Sequence, residues 1–189
     1  GNYREQDGFM DNYDYNRLNL RANTTVNLRE NISVDVDLNM IRSSQRTPSV
    51  ADSGGLDMLY LLYGIPPTIV SKYPERENDP NTYYSNYGSN MQNPLAQLEQ
   101  GGYTQNVTDN ISVNLQPRWT IIPSLTWRGQ FSYRVNSSTK KEERHAFNFF
   151  DYDNGQLLAT WGNRFAAGLT RSSYYYLGTT LEYTLERDK

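Results

Sequence analysis

From Arg17 to Leu28 the chain alternates without a break. Leu18, Leu20, Ala22, Thr24, Val26 and Leu28 take one side, and Arg17, Asn19, Arg21, Asn23, Thr25 and Asn27 the other. A period of two held this long fits an extended strand with one apolar and one polar face. From Leu18 to Leu28 such a strand is roughly 36 Å long at about 3.3 Å per residue. Strands of soluble domains usually stop after about 5–6 residues. Tilted by about 45°, this one projects to about 25 Å, the height of the apolar band of an outer-membrane barrel.

The pattern recurs. After Arg29-Glu30-Asn31, Ile32, Val34, Val36, Leu38 and Met40 alternate with Ser33, Asp35, Asp37 and Asn39, which predicts a hairpin over about 15–41. A second hairpin is expected over about 108–135. Its apolar sides are Ile111, Val113, Leu115 and then Leu125, Trp127, Phe131, Tyr133, Val135, with a turn from Pro117 to Pro123. A further strand is expected over about 173–186, through Tyr175, Leu177, Leu181, Tyr183 and Leu185. Short turns thus alternate with long loops, at about 42–106 and 136–172. Compact domains rarely carry loops beyond about 15 residues, whereas a barrel with turns at one end and loops at the other does. Within the first loop, 56–63 and 94–99 have the composition of short helices.

Composition agrees. Mean hydropathy is −0.80, yet 13% of residues are aromatic and 16 are Tyr, which argues against disorder and for pleated structure. With no Cys there is no disulfide framework or thiolate chemistry, and one His excludes His-clustered metal sites. The net charge of −3, with no basic run, speaks against a nucleic-acid partner. No apolar stretch is long enough for a membrane helix, a test that β-barrels escape because half their strand residues face a wet lumen. The expected fold is therefore all-β: an antiparallel transmembrane β-barrel segment with long extracellular loops.

Particular residues carry the functional expectations. Trp119, Trp127, Tyr133, Tyr175 and Tyr183 suit an aromatic girdle at headgroup level. On the polar face, Asn23 should oppose Asp37 and Arg21 oppose Asn39, making Arg21 and Asp37 diagonal neighbours and a structural lumen pair. In the first loop, Tyr60, Tyr63, Tyr73, Tyr83, Tyr84 and Tyr87 are candidates for contacting a ligand or partner, because rigid aromatic rings stack at little entropy cost. Asp151-Tyr152-Asp153-Asn154-Gly155 has some look of a calcium loop, but its Gly comes one place early and position 12 is Gly162, so a tight turn is the better reading. His145 lies in a charged run that should be solvated. Sequons at Asn23, Asn31, Asn106, Asn110 and Asn136 fall partly inside strands and carry no message. No catalytic constellation stands out, so no enzymatic activity, cofactor or metal is expected.

The segment Tyr15-Asn16-Arg17-Leu18-Asn19-Leu20-Arg21-Ala22-Asn23 resembles the YxRxNxRxN strand of SusC/RagA-like TonB-dependent transporters of Bacteroidetes. Asn93-Pro94-Leu95-Ala96-Gln97-Leu98-Glu99 is similar to their NPxAxLE loop element. The resemblance implies a Gram-negative outer-membrane protein, a barrel of 22 strands with a plug, that imports glycans or oligopeptides. It also implies a SusD-like surface lipoprotein and the TonB complex as partners. Signal peptide, plug and TonB box are not seen in this sequence, so residues 1–189 correspond to a barrel segment forming wall and outer vestibule. The competing reading is a soluble β-sandwich that binds carbohydrate.

Overall fold

A computed structural model describes residues 1–8, 10–49, 63–86 and 93–185. The chain is all-β, with strands β1 (Asn2–Asp7), β2 (Asp14–Arg29), β3 (Ile32–Pro48), β4 (Gly102–Ile122), β5 (Leu125–Arg144), β6 (Phe147–Phe150), β7 (Leu157–Trp161) and β8 (Arg164–Tyr183). One short helix, α1 (Pro94–Gln100), precedes β4. Six strands form one antiparallel sheet in the order β1-β2-β3-β4-β5-β8, and β6 and β7 form a separate hairpin between β5 and β8.

The register places all the alternating apolar residues on one face. Rows running across the strands read Ala22–Leu38–Val113–Tyr133–Tyr175 and Thr24–Val36–Leu115–Phe131–Leu177. The row Ile32–Trp119–Trp127–Leu181 lies nearer the short turns. From the Leu125–Tyr183 pair to the Val135–Ser173 pair is ten residues along β5. That is about 33 Å of strand, and about 25 Å in height at a tilt of roughly 40°. The next row upward is charged, with Arg42 paired to Asp109 at 3.7 Å. The opposite face is polar throughout its centre. Thr25 donates to Asp35 at 2.6 Å, Asn114 to Asp37 at 3.1 Å and Ser132 to Asn114 at 2.7 Å.

Two glycines show how tightly rings lie on this sheet. A Cβ on Gly129 would be 2.9 Å from the Trp127 ring and 3.0 Å from Pro117, and one on Gly178 would be 2.7 Å from the Tyr176 hydroxyl. Each ring therefore covers bare backbone, and Trp127 is held there by donating Nε1–H to Thr179 at 2.7 Å.

Several expected boundaries are corrected. β3 runs to Pro48, β4 starts at Gly102, β5 ends at Arg144 and β8 starts at Arg164, so the loops shrink to 49–101 and 145–163. The reason is visible in the residues. Beyond the apolar band both faces are polar (Arg42, Ser44, Arg46 on one face of β3), so alternation disappears while the backbone ladder continues. Pro117 lies inside β4, not in the turn, which is only Pro123-Ser124. The β4–β5 ladder has no partners at Gln116 and Pro117, a gap that accommodates a residue without an N–H. β1 covers the Tyr15 end of β2, so the edge on that side is Asn2–Asp7. β8 ends at Tyr183, ahead of the expected 186. Among the described residues the sheet is open, with β1 and β8 as its edges.

The core does not lie on the sheet. Among the described residues of its six strands, only Pro48 is buried. Among the described residues, the buried hydrophobic side chains are Tyr83, Tyr84, Ala96, Phe147, Phe149 and Trp161, all from the two long loops. The loops thus fold together into a cap above the strand ends that lie away from the short turns.

Candidate functional site

The cap is built around Asn93. Its Oδ1 accepts from the Ala96 N–H at 3.0 Å and caps α1, with Pro94 in the first turn. Its Nδ2 donates to the Ser71 carbonyl at 2.7 Å and the Ser85 carbonyl at 2.9 Å. One buried side chain therefore joins α1 to two loop segments. Those segments also pair directly, Tyr73 N–H donating to the Tyr83 carbonyl and Ser85 N–H to the Ser71 carbonyl.

Tyr84, 1% exposed, packs with Ala96, Phe147, Phe149 and Trp161, with Leu95 and Ala159 at the margin. Its hydroxyl donates to Glu99 at 2.6 Å, and Lys72 reaches the same carboxylate oxygen at 2.7 Å. Burial, then the bond to Glu99, raises the Tyr84 pKa well above the usual phenol range. Lys72 first and Tyr84 second hold the Glu99 carboxyl below the ordinary range. Tyr83, equally buried, donates to Asp79 and accepts from Arg76 at 3.3 Å. The Tyr83 hydroxyl, followed by the Asn81 N–H, lowers the Asp79 pKa.

Against this core the β6–β7 hairpin brings up its connecting turn. Asp151 Oδ1 accepts from the N–H groups of Asp153 at 2.8 Å and Asn154 at 3.2 Å. Gly155 follows with φ +72°, a conformation that favours glycine. Residues 151–155 form a tight turn, the carboxylate of Asp151 serving the backbone. Tyr152 projects from it and stacks on Tyr73 with centroids 4.6 Å apart and planes inclined by 12°. Its ring also meets Tyr83 edge-on at 5.5 Å. Between the first-loop segment and this turn lies an open cavity of about 340 Å³. Tyr73, Tyr84, Phe150 and Tyr152 form aromatic wall, and Asn86, Asp151 and Asp153 are polar lining.

The six tyrosines expected to meet a ligand or partner separate accordingly. Tyr73 and Tyr84 line the cavity. Tyr83 is buried behind it. Tyr63 is 89% exposed and stands apart from the cavity lining. Tyr60 and Tyr87 lie outside the described residues, as do most of the 56–63 helix expectation; the 94–99 helix is α1. Arg21 and Asp37 share the polar face with the expected register, Asn23 opposite Asp37 and Arg21 opposite Asn39. They form no ion pair; Asp37 is engaged instead by the amide of Asn114 on β4. His145 is exposed, 3.3 Å from Glu143. Tyr152, Phe150, Asp153 and Asn86 also line the cavity and were not among the residues expected to meet a ligand or partner. The available signal was Phe147, Phe149, Phe150 and Trp161 gathered around the 151–155 turn, an aromatic density that a solvated loop does not need.

Comparison of the chain with protein-family models and with proteins of curated function finds no match.

Proposed function

We propose that residues 1–189 form wall and outer vestibule of an antiparallel transmembrane β-barrel, part of a SusC-like TonB-dependent transporter that imports glycans or oligopeptides across a Gram-negative outer membrane. One observation carries the reading. The large sheet holds a continuous apolar face of membrane-spanning height with exposed Leu20, Leu38, Ile111, Phe131, Leu177 and Leu181, while the buried core lies in the loops. A water-facing sheet would place its apolar side against a second layer. Lipid accepts such a face, provided every backbone group pairs with a neighbouring strand. Trp119, Trp127 and Tyr183 near the short turns support the girdle.

The barrel would be completed by further strands at β1 and β8, with 22 in all by resemblance. The cap would then face the exterior, where substrate and a SusD-like lipoprotein arrive, and TonB coupling would use parts of the transporter not represented in 1–189. A soluble carbohydrate-binding sandwich is less well supported, because among the described residues the other sheet is the two-stranded β6–β7, whose Phe147, Phe149 and Trp161 pack into the cap.

The test is fractionation of the full-length protein followed by electrophoresis of unboiled and boiled samples. A heat-modifiable band in the outer-membrane fraction supports the reading. A monodisperse, detergent-free protein in the soluble fraction overturns it.

A further inference from the structure

We propose that the polar face of the six-stranded sheet is a cationic track for a polyanionic oligomer, a chain carrying several carboxylates. The inference deepens the import reading and rests on it, assigning a charge to the imported substrate. The chain as a whole is acidic, with a net charge of −3, but the sheet sorts its charges by face. Paired positions on the polar face hold Arg17 and Arg21 on β2, Arg118 on β4, and Arg128, Arg134 and Lys140 on β5. The carboxylates at paired positions of that face are Asp35, Asp37, Glu142 and Glu182, so cations prevail there. On the apolar side bases stand beside acids, as in Arg42–Asp109 and Lys141–Glu143.

The register also sets arginines directly opposite one another, as Arg4–Arg17, Arg118–Arg128 and Arg144–Arg164. Side chains so placed are about 4.5–5.5 Å apart at Cβ, and like charges there destabilise a sheet. Glu142 relieves the last pair, meeting Arg144 at 3.1 Å and Arg164 at 3.9 Å. In Arg118–Arg128, Glu182 takes Arg128 at 2.8 Å, and Arg118 is left without a carboxylate among the described residues. In Arg4–Arg17 both cations rest on neutral amides: Arg4 donates to Gln6 Oε1 at 3.1 Å and Arg17 to Asn19 Oδ1 at 3.0 Å. An oxyanion held between two such guanidinium groups replaces their repulsion with charge-assisted hydrogen bonds.

The spacing calls for a chain of anions. From the Arg118–Arg128 pair beside the short turns to the Arg144–Arg164 pair at the cap is sixteen residues along β5, about 53 Å of strand. Arg134 and Lys140 fall between them, and Arg17 and Arg21 repeat the spacing on β2. One small anion would engage one pair, whereas an oligomer can be handed from pair to pair over the height of the wall. Lys140 is the only lysine among these cations. Arginine presents a planar fork that grips a carboxylate with two bonds. Arg4, Arg21, Arg118 and Arg134 are exposed, so a solute reaches them. A wet channel between low-dielectric walls focuses such a field and draws counter-ions in.

The test uses the full-length protein purified from outer membranes in detergent. Calorimetric titrations are run with hexagalacturonate and hexaglutamate, which carry the same charge on a glycan and on a peptide, and with neutral maltohexaose and cationic hexalysine. At least one polyanion should bind about tenfold or more tightly than maltohexaose, and raising the salt from about 0.05 to 0.5 M should weaken it about tenfold, as screening requires. The double variant Arg4→Gln, Arg17→Gln should weaken it about tenfold, and Arg134→Gln several-fold. Arg171→Gln, on the other face, should leave it unchanged. Heat-modifiability verifies assembly of each variant, and Arg134→Gln alone decides where the double variant fails to assemble. No polyanion binding, tighter binding of hexalysine, or polyanion binding that Arg171→Gln weakens as much as the polar-face variants overturns the track. Absence of polyanion binding together with loss of assembly in the polar-face variants overturns it in favour of an acidic protein surface packed on this face. Absence of the wild-type protein from outer membranes would instead overturn the import reading, so the two failures are told apart.

Discussion

The hydroxyl of Tyr84 donates to Glu99 at 2.6 Å from a ring that is 1% exposed, so a polar bond anchors the centre of the aromatic cap. The bond joins the first-loop segment to α1 across 15 residues. Tyr84→Phe keeps the ring and removes the donor to a carboxylate, a loss of about 1.5–3 kcal/mol from the cap. Limited proteolysis of the assembled protein should cut within 63–86 several-fold faster, while heat-modifiability of the full-length protein is unchanged.

The same contacts set a pH dependence. The Glu99 carboxyl is held below its ordinary range by Lys72 and then Tyr84, and Asp79 is lowered by the Tyr83 hydroxyl. Carboxyls with lowered folded values contribute stability that is complete above their unfolded values, about 4, and lost as pH falls through the folded ones. The Tyr84 pKa is raised, chiefly by burial, so its contribution is complete below the ordinary phenol value, about 10, and lost as pH rises through the raised one. Protease sensitivity of the cap should therefore be flat between about pH 5 and 9 and increase on both sides. In Tyr84→Phe the alkaline limb should shrink.

Asn93 makes a sharper test of how the cap is assembled. Asn93→Asp retains an oxygen for the Ala96 N–H but loses the two donations to Ser71 and Ser85, whereas Asn93→Ala loses all three. The helix-cap part is about 1 kcal/mol; the part-buried Ser85 carbonyl, left without its donor, adds about 1–3 kcal/mol, while the Ser71 carbonyl keeps the Ser85 N–H. Hydrogen exchange should show both variants opening 71–85, with Asn93→Ala alone also loosening α1. Equal protection in both variants and wild type would contradict the role given to Asn93.

What the sequence made legible follows physical range. Period-two alternation reports a difference between two faces, so it marked Leu18–Leu28 and Ile32–Met40 and gave the Asn23–Asp37 register directly. It fell silent at Arg42 and Ser137, where both faces meet water although the ladder goes on. α1 was legible because Asn93-Pro94 is a local capping signal. The cavity was not. Tyr73 and Tyr152 stand 79 residues apart in the chain and meet through loop folding, which no local period encodes. The Arg21–Asp37 pairing failed for a related reason: it weighed two strands, and the third strand, β4, supplied Asn114 at closer reach.

Gly129 tests the contact between ring and backbone on the apolar face. A side chain there meets Trp127 at 2.9 Å and Pro117 at 3.0 Å, with Thr179 holding the indole in place. Gly129→Val should displace the Trp127 ring and break the bond to Thr179, a cost of about 1–3 kcal/mol typical of overpacking. The readout is a red shift or quenching of the Trp127 emission, taken as the difference between spectra with and without Trp127→Phe in each background. Unchanged emission would mean that the ring does not cover Gly129.

The last prediction separates the two faces of the sheet. Leu38 and Val113 lie side by side in the row Ala22–Leu38–Val113–Tyr133–Tyr175, near the upper part of the apolar band, while Asn23 and Asn114 flank Asp37 on the polar face. An Arg on a lipid face costs about 2–4 kcal/mol at the midplane and about 0–1 kcal/mol near the interface, so Leu38 and Val113, one row deeper than Leu20, carry an intermediate cost that exceeds that at Leu20. Leu38→Arg and Val113→Arg should each reduce the heat-modifiable fraction in outer membranes, and Leu20→Arg, closer to the charged Arg42–Asp109 row, should do so less. Asn23→Arg should assemble like wild type. Its neighbour Asp37 already accepts from Asn114, and a cation opposite a carboxylate on a hydrated face is accommodated. The depth gradient carries the argument further than the contrast between faces: a soluble sheet covered by a partner would lose stability at Leu20, Leu38 and Val113 alike, without the graded relief toward the charged row. Equal tolerance of arginine on both faces would remove the lipid assignment and the transport reading with it.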